Sequence, residues 1–342
     1  MKHVPLKEIA KATGVSVSTV SRVMTHHPGI SEATRERVLE AAREMRYAPH
    51  GAGRSLSTNR SMTVAFLSYR RRVPSRMVTA SSDQTGVLDV LEPEGYSLLV
   101  GSISDEELRR PRELRILRQQ QVDGLILEGP TLPAAFVQEL HNMGLPMVHV
   151  DGTEGSGRID MVLHENERGA REITNHLLER HGRRRPVFVS GPSSWISSAE
   201  RRRGYESALA AFGIDPVVIE MPDTTTETGA EAARVVFSDH GDTDAVVAVN
   251  DAVAFGFMNE AKRRKISIPG RLAVTGFDDI SWASFSHPSL TTVRTYPEEM
   301  GRQAASRLLE LMRRAGDGPP APVTVRVGGE LICRESCGCN PE

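Results

Sequence analysis

The sequence predicts an α/β protein: a body of two doubly wound, mainly parallel sheets behind a small all-helical head. Three observations predict it. From Met62 onward, short buried apolar runs recur with room for one helix between each pair, the rhythm of a parallel sheet. That rhythm restarts near residue 168, which gives two similar lobes of roughly 100–130 residues each. Ahead of both, the first 46 residues carry only helical periodicity.

The head accounts for three helices. Leu6, Ile9, Ala10 and Thr13 follow helical spacing, and Gly14 then supplies the left-handed backbone position of a tight turn. Ser16 suits the N-cap of a second helix. At about 100° per residue, Val20 and Val23 face one side of that helix while Val17, Ser18, Ser21 and Arg22 face the other. Small Ala10 lets the two helices approach. This is the geometry that sets a helix into the major groove of DNA. His26-His27-Pro28-Gly29 breaks the pattern, and Ser31 caps a third helix from Glu32 to about Arg46, with Val38, Leu39, Ala42 and Met45 inward. The head is expected to span 1–47. Residues 48–61 form a linker in which Gly51 and Gly53 each cost about 1 kcal/mol against Ala in a helix, so it is helical only when something holds it.

In the body, strands are expected at Thr63–Ser68, Ser97–Val100, Gly124–Leu127 and Pro146–Val150. After a helix over 168–180 come Pro186–Ser190, Val217–Ile219, Ala245–Val249 and Leu272–Phe277. A cleft between the lobes is the natural ligand site.

Charge and composition narrow the function. The 342 residues carry a net charge of −2, but residues 1–60 hold ten lysines and arginines against five glutamates, and the remainder is net acidic. A basic head on an acidic body is the footprint of a nucleic-acid-binding module joined to a soluble domain. No apolar run approaches the ~20 residues that span a bilayer, and Lys2, Lys7 and Lys11 are unlike a signal peptide, so no membrane partner and a cytoplasmic location are expected. Three cysteines, Cys333, Cys337 and Cys339, crowd the tail; an odd number fits a reducing compartment. Their spacing matches no common metal site and no histidine is nearby, so an inert tail is expected and no metal.

No nucleophile elbow, phosphate loop or zinc-helix motif occurs, and Gly155-Ser-Gly157 lacks the third glycine of a dinucleotide fingerprint. Neither catalysis nor a cofactor is expected. Two rivals stand beside a DNA-binding regulator: a solute-binding protein, which needs a signal peptide in place of the head, and a sugar-metabolising enzyme, which needs a catalytic acid or phosphate loop.

The chain resembles the LacI-type (LacI/GalR) transcription regulators over nearly its whole length. The carriers are Leu6-Lys-Glu-Ile-Ala with Gly14-Val-Ser and Thr19-Val-Ser-Arg22-Val; Tyr47-x-Pro49 with Arg54-Ser-Leu56; Arg201-x-x-Gly204-Tyr; Asn250-Asp251; Gly276-Phe-Asp-Asp279; Leu290-Thr-Thr-Val293; and Arg334-Glu-Ser336. The resemblance implies a helix-turn-helix head, a hinge, and a core (62–342) like the periplasmic sugar-binding proteins. Lobe one would be about 62–162 with 292–322, and lobe two about 163–291 with 323–342. It further implies a carbohydrate-responsive repressor, a homodimer on double-stranded DNA with a pseudo-palindromic operator, controlled allosterically by a small-molecule effector.

Within that frame Arg22 suits a bidentate contact with guanine, Val17 an apolar contact with a thymine methyl, and Ser18 a less selective hydrogen bond. Ser16, Thr19 and Ser21 suit phosphates. The resemblance implies that Leu56 wedges the minor groove, with Arg54 beside it in the hinge. It carries Asp151, Arg201, Asn250 and Asp278 to the effector cleft, together with Ser75, Glu128 and Thr224. Arg201, next to Arg202 and Arg203, also reads as an exposed basic run, and Asp278 is hard to separate from Asp279. The chain departs from the family where Thr224 replaces a frequent aromatic, Glu128 a frequent amide or small residue, and Thr295 a frequent Gln. Tyr69-Arg-Arg-Arg72 fits an anionic sugar or a solvated loop equally.

Overall fold

The computed structural model describes residues 4–24, 27–45, 47, 60–69, 82–152, 159–314 and 321–339. The chain divides into two units, residues 1–63 with 120–123, and the remainder.

In the first unit, α1 (Leu6–Thr13), α2 (Val17–Met24) and α3 (Glu32–Glu44) close around Ile9, Ala10, Val20, Val23, Val38 and Ala42. Gly14 ends α1 with φ 68°, the left-handed turn the sequence requires. The Ser16 hydroxyl caps α2 by accepting from the Thr19 amide at 3.1 Å. Ser31 differs from expectation. It holds the N-cap position of α3 in extended geometry, but its hydroxyl donates to Thr34 Oγ1 at 2.9 Å and caps no backbone amide.

The second unit carries a six-stranded and a four-stranded sheet. The first contains β1 (Thr63–Tyr69), β2 (Ser97–Ile103), β3 (Gly124–Glu128), β4 (Met147–Val150), β5 (Asp160–His164) and β11 (Thr324–Val327), in the order β11-β5-β4-β3-β1-β2. The second contains β6 (Pro186–Ser190), β7 (Val217–Glu220), β8 (Ala245–Ala248) and β9 (Ala273–Thr275), in the order β7-β6-β8-β9. A ribbon of β10 (Thr292–Arg294) against β12 (Glu330–Ile332) completes the described strands. The eight expected strands are present. The four that sequence reading missed (β5, β10, β11 and β12) are no shorter than several that it found, but each carries a charged residue (Asp160, Arg294, Arg326 and Glu330), so no uninterrupted apolar run marks them. The lobe boundaries shift accordingly. β11 pairs in parallel with β5, Thr324 opposite Met161, so the stretch from 323 onward returns a strand to the first sheet instead of belonging wholly to the second lobe.

Long helices cover the sheets: α4 (Ser82–Leu91), α5 (Ala134–Asn142), α6 (Asn166–Arg180), α7 (Ile196–Ala210), α8 (Thr226–Asp239), α9 (Asp251–Arg263) and α10 (Pro297–Arg313). α4 and α10 meet backbone to backbone. A Cβ on Gly301 would overlap the Asp83 carbonyl oxygen, and one on Gly86 the Glu298 carbonyl oxygen. Helix propensity alone predicts that Gly301→Ala stabilises by about 1 kcal/mol. The close crossing predicts the opposite, a loss of about 1–3 kcal/mol in urea unfolding; a stabilised variant would show that the helices do not touch this closely.

The tail corrects a second expectation. Ser336 donates to the Val274 carbonyl at 2.6 Å and accepts from the Thr291 amide at 2.8 Å, which pins the tail against the second sheet. Cys337 and Cys339 thereby come to lie beside His176 and His181. The absence of a nearby histidine holds along the chain and fails in space. Among the described residues no helix is long and apolar enough to cross a membrane.

Candidate functional site

Parallel sheets gather their functional side chains at the C-terminal ends of their strands, where loops leave the core. Both sheets obey this rule at one cavity of about 570 Å³. Glu128 ends β3, Asp151 follows β4, His164 ends β5, Asn250 follows β8 and Asp278 lies three residues past β9; all line the cavity, with Thr224 and Thr295. Of the sequence-predicted cleft residues, Asp151, Arg201, Asn250, Asp278, Glu128 and Thr224 are thus brought together. Ser75 and the arginines at 70–72 lie outside the described residues.

Arg201 organises the floor. It rises from α7 with only 6% of its surface exposed, so the exposed-run reading fails for it. Arg202 and Arg203 take that role, paired with Glu206 and Glu167. Arg201 Nε donates to Asn166 Oδ1 at 2.9 Å, Nη1 to the Val249 carbonyl at 2.6 Å, and Nη2 faces Asp278 Oδ1 at 3.6 Å. Its guanidinium carbon sits 3.7 Å from the centroid of the Phe277 ring, a cation–π contact. Four restraints hold one fork in one orientation.

Asp278 and Asp279 both line the cavity with left-handed backbone, and their ion pairs tell them apart. Asp279 is held by Arg294 at 2.8 Å and Arg334 at 2.7 Å, a structural triad. Asp278 faces the cavity with φ 114°, and Asp151 has φ 48°; left-handed backbone at a residue other than glycine is uncommon and clusters at functional sites. Burial pushes the Asp278 carboxyl up to about 6, offset in part by Arg201 and reinforced by Asp151. Burial also raises Asp151, against the pull of Arg201 and a hydrogen bond from Ser197. Asn250 is half committed to structure: its Oδ1 caps α9 through the Val253 amide at 2.9 Å, and Nδ2 donates to the Thr224 carbonyl at 3.2 Å.

Among the lining residues that escaped sequence reasoning are Asp83, His164, Trp195 and Ser198. Asp83 opens α4 and meets Glu128. Burial, then the charge of Glu128 and a hydrogen bond with it, push the Asp83 carboxyl up to about 8, so the pair shares a proton at neutral pH. Burial lowers His164 to about 3, with the charge of Arg201 adding to it, so its ring is neutral. Trp195 supplies an aromatic wall from the start of α7, on a different element from Thr224, where one was sought. No local pattern announces these residues; the one signal was that Trp195 is one of only two tryptophans.

Buried polar atoms in folded proteins are nearly always hydrogen-bonded. Here Asp83 Oδ1, Asp151 Oδ1, His164 Nδ1 and Ser198 Oγ are buried without a partner, and all four residues line this one cavity. Among the described lining residues Arg201 is the sole arginine or lysine, so the wall is acidic. Such a surface is complementary to a ligand dense in hydroxyl donors and poor in negative charge.

On the head, α2 presents Ser16, Val17, Ser18 and Arg22 outward, with Thr19 and Ser21 half-buried and Val20 and Val23 inward. Val17 is 45% exposed, which leaves its methyls available to a partner. The Ser16 hydroxyl bonds those of Ser18 and Thr19, each at 2.8 Å, a cluster whose rotors can turn to phosphate oxygens. Arg54 and Leu56 lie outside the described residues.

Comparison with known proteins agrees with this division. Residues 5–50 match the lacI family of bacterial regulatory proteins, and residues 174–337 the periplasmic binding protein-like domain. The HTH-type transcriptional repressor CytR of Escherichia coli (strain K12) is 31% identical over 312 residues, 90% of this chain and 89% of that protein. The HTH-type transcriptional regulator CelR of Thermobifida fusca is 30% identical over 339 residues, 97% of each. Among solved structures, a transcriptional regulator CelR–cellobiose complex superposes with TM-score 0.71 at 28% identity, covering 98% of this chain and all of that one. A Lac repressor dimer bound to operator and the anti-inducer ONPF shares the fold, with TM-score 0.82 at 23% identity over 98% of this chain and 99% of that one. With a reading helix in the first unit, a polar cleft in the second and relatives that match over nine-tenths of the chain, the chain belongs to the lacI family of bacterial regulatory proteins and is a DNA-binding transcription regulator.

Proposed function

We propose that this protein is a cytoplasmic, homodimeric repressor whose grip on a pseudo-palindromic operator is set by a neutral, hydroxyl-rich effector, a carbohydrate or close derivative. The head (1–47) reads DNA, the hinge (48–61) couples, and the body (62–342) binds effector and pairs the protomers. The observation that carries the effector class is the convergence of four partnerless buried polar atoms in one acidic cavity. Acceptor carboxylates on a rigid arginine floor match vicinal hydroxyls, and the Trp195 ring suits the apolar face of a pyranose. The acidic wall repels phosphate, which sets neutral sugars above the sugar phosphates that the arginines at 70–72 left open. The related regulator CelR, solved in complex with cellobiose, supports the same class. The carboxylates act here as binding groups, and the protein catalyses no reaction of its ligand.

Two heads related by a two-fold axis match a two-fold operator. By linkage, an effector that weakens DNA binding is itself bound more weakly by the DNA complex. A thermal-shift screen of full-length protein tests the effector class. Neutral mono- or disaccharides are expected to raise the melting temperature, and sugar phosphates and nucleosides to leave it unchanged. Stabilisation by phosphates alone would reverse the assignment. For the DNA end, Arg22→Ala is expected to lose about 1–3 kcal/mol of specific affinity, roughly 10- to 100-fold in fluorescence anisotropy, with non-specific binding nearly unchanged. An equal loss on random duplex would make Arg22 a phosphate contact instead.

A further inference from the structure

The C-terminal tail and the end of α6 hold a second constellation that the regulator reading does not use. His176 lies in the last turns of α6, and His181 directly follows that helix. Cys337 closes a short turn at Glu335–Cys337, and Cys339 follows after Gly338. The ligating atoms of these four residues all lie within 4.8 Å of one another. His176 Nε2 stands 3.5 Å from both Cys337 Sγ and Cys339 Sγ. His181 Nε2 stands 3.5 Å from Cys339 Sγ and 3.1 Å from His176 Nε2.

Four of the six separations among these atoms are therefore 3.1–3.5 Å and the other two lie within 4.8 Å, compatible with the edges of a small tetrahedron. Metal–sulfur bonds of about 2.3 Å and metal–nitrogen bonds of about 2.0–2.1 Å at tetrahedral angles put sulfur about 3.5 Å from nitrogen and the nitrogens about 3.3 Å apart. Hydrogen bonds between thiols and imidazoles explain individual pairs, but not the convergence of all four atoms on one point. We propose that His176, His181, Cys337 and Cys339 form a tetrahedral zinc(II) site that clasps the C-terminal tail to α6. Two thiols release their protons to solvent as their sulfurs ligate, so two thiolates, two neutral imidazoles and one dication make a neutral site, suited to a half-buried position. Thiolate and imidazole together favour zinc over the hard cations magnesium and calcium.

Two supporting contacts are built in. The Thr291 hydroxyl lies 2.9 Å from the Arg334 carbonyl and 3.1 Å from Cys337 Sγ, placed to donate to the sulfur as an outer-shell bond once it is a thiolate. Gly338 has φ 110°, and a Cβ there would come 3.2 Å from His181 Nδ1, so the turn that aims both sulfurs at the histidines favours glycine. Cys333 borders the set, within hydrogen-bond reach of Cys339, but it is not one of the four converging ligands. Its Sγ is 3.9 Å from Nδ1 and 3.7 Å from Nε2 of His176, nearly equidistant, and therefore off the lone-pair axis a shared metal would occupy.

Full-length, tag-free protein, purified with zinc and desalted, is expected to retain about one zinc per chain by mass spectrometry. Cobalt(II) added to chelator-stripped protein is expected to show intense visible bands and sulfur-to-metal charge transfer. Cys339→Ser and His181→Asn lose the metal while Cys333→Ser keeps it, each checked for native circular dichroism. Should those variants misfold, zinc is expected to protect Cys339 of the natural protein from iodoacetamide and leave Cys333 reactive. A pale six-coordinate cobalt spectrum, full zinc content in folded Cys339→Ser, or equal alkylation of Cys339 with and without zinc would overturn the site.

Discussion

Arg201→Ala is expected to lower the unfolding free energy by about 3–5 kcal/mol and to remove effector binding altogether. The size follows from what the change leaves behind. Arg201 is buried, and its charge is the attraction that offsets the burial of Asp278 and Asp151. Removing one partner of a largely buried set costs far more than the set itself contributes, because the remaining carboxylates, only partly open to solvent, lose their counter-charge. The Val249 carbonyl and Asn166 lose a donor in the same step. Arg201→Lys keeps the charge but not the fork: an ammonium cannot span Asn166, Val249 and Asp278 while stacking on Phe277. The lysine variant is therefore expected to regain part of the stability and little of the binding. Urea unfolding and calorimetric titration with whichever sugar shifts the melting temperature separate the two effects. An alanine variant of near-natural stability would mean that water already reaches these carboxylates.

Asp83→Asn is expected to flatten the pH dependence of stability between pH 6.5 and 8. The folded carboxyl titrates near 8, whereas an unfolded aspartate titrates near its ordinary value of about 3.9. Between those values the folded chain holds a proton that the unfolded chain has released, so stability falls as pH rises through the window and levels off above about 8. His164, lowered to about 3, and His149, lowered to about 4, act in the opposite sense and only in acid: stability drains away as pH falls below about 6.5. Above that value both histidines are neutral whether folded or not, so the slope there reports the raised carboxyls. The asparagine variant is expected to exceed the natural protein at pH 8 by on the order of 2 kcal/mol, a figure discounted for the partial exposure of the site. Denaturant melts at three pH values suffice, and parallel curves for the two proteins would mean that Asp83 and Glu128 share no proton.

The head was nearly complete in the sequence because its information is local. Gly14, the Ser16 cap and the Val20/Val23 stripe each act within one or two turns, and each forms as expected. Ser31 shows the limit of such rules, since a neighbouring hydroxyl at Thr34 took the bond that the backbone amide was expected to receive. In the body, the apolar strands announced themselves, while β5, β10, β11 and β12, each interrupted by a charged residue, form where a neighbouring strand offers a partner. The cleft was half legible. Asp151, Asp278 and Asn250 sit just past strands, where a parallel sheet delivers its ligand contacts. Asp83 and Trp195 begin helices, where nothing local distinguishes a cavity wall from a solvated turn.

Sequence alone determined the helices of the head, the order of the eight apolar strands and most of the strand ends that bear the cleft, since these follow from backbone preferences and burial patterns spanning a few residues. Tertiary packing decided which carboxyls stay protonated, which of three adjacent arginines is buried, and that Cys337 meets His176 across 161 positions of chain. Proton affinity and metal-ligand geometry depend on groups a few ångströms away in space, and distance along a chain carries almost none of that information.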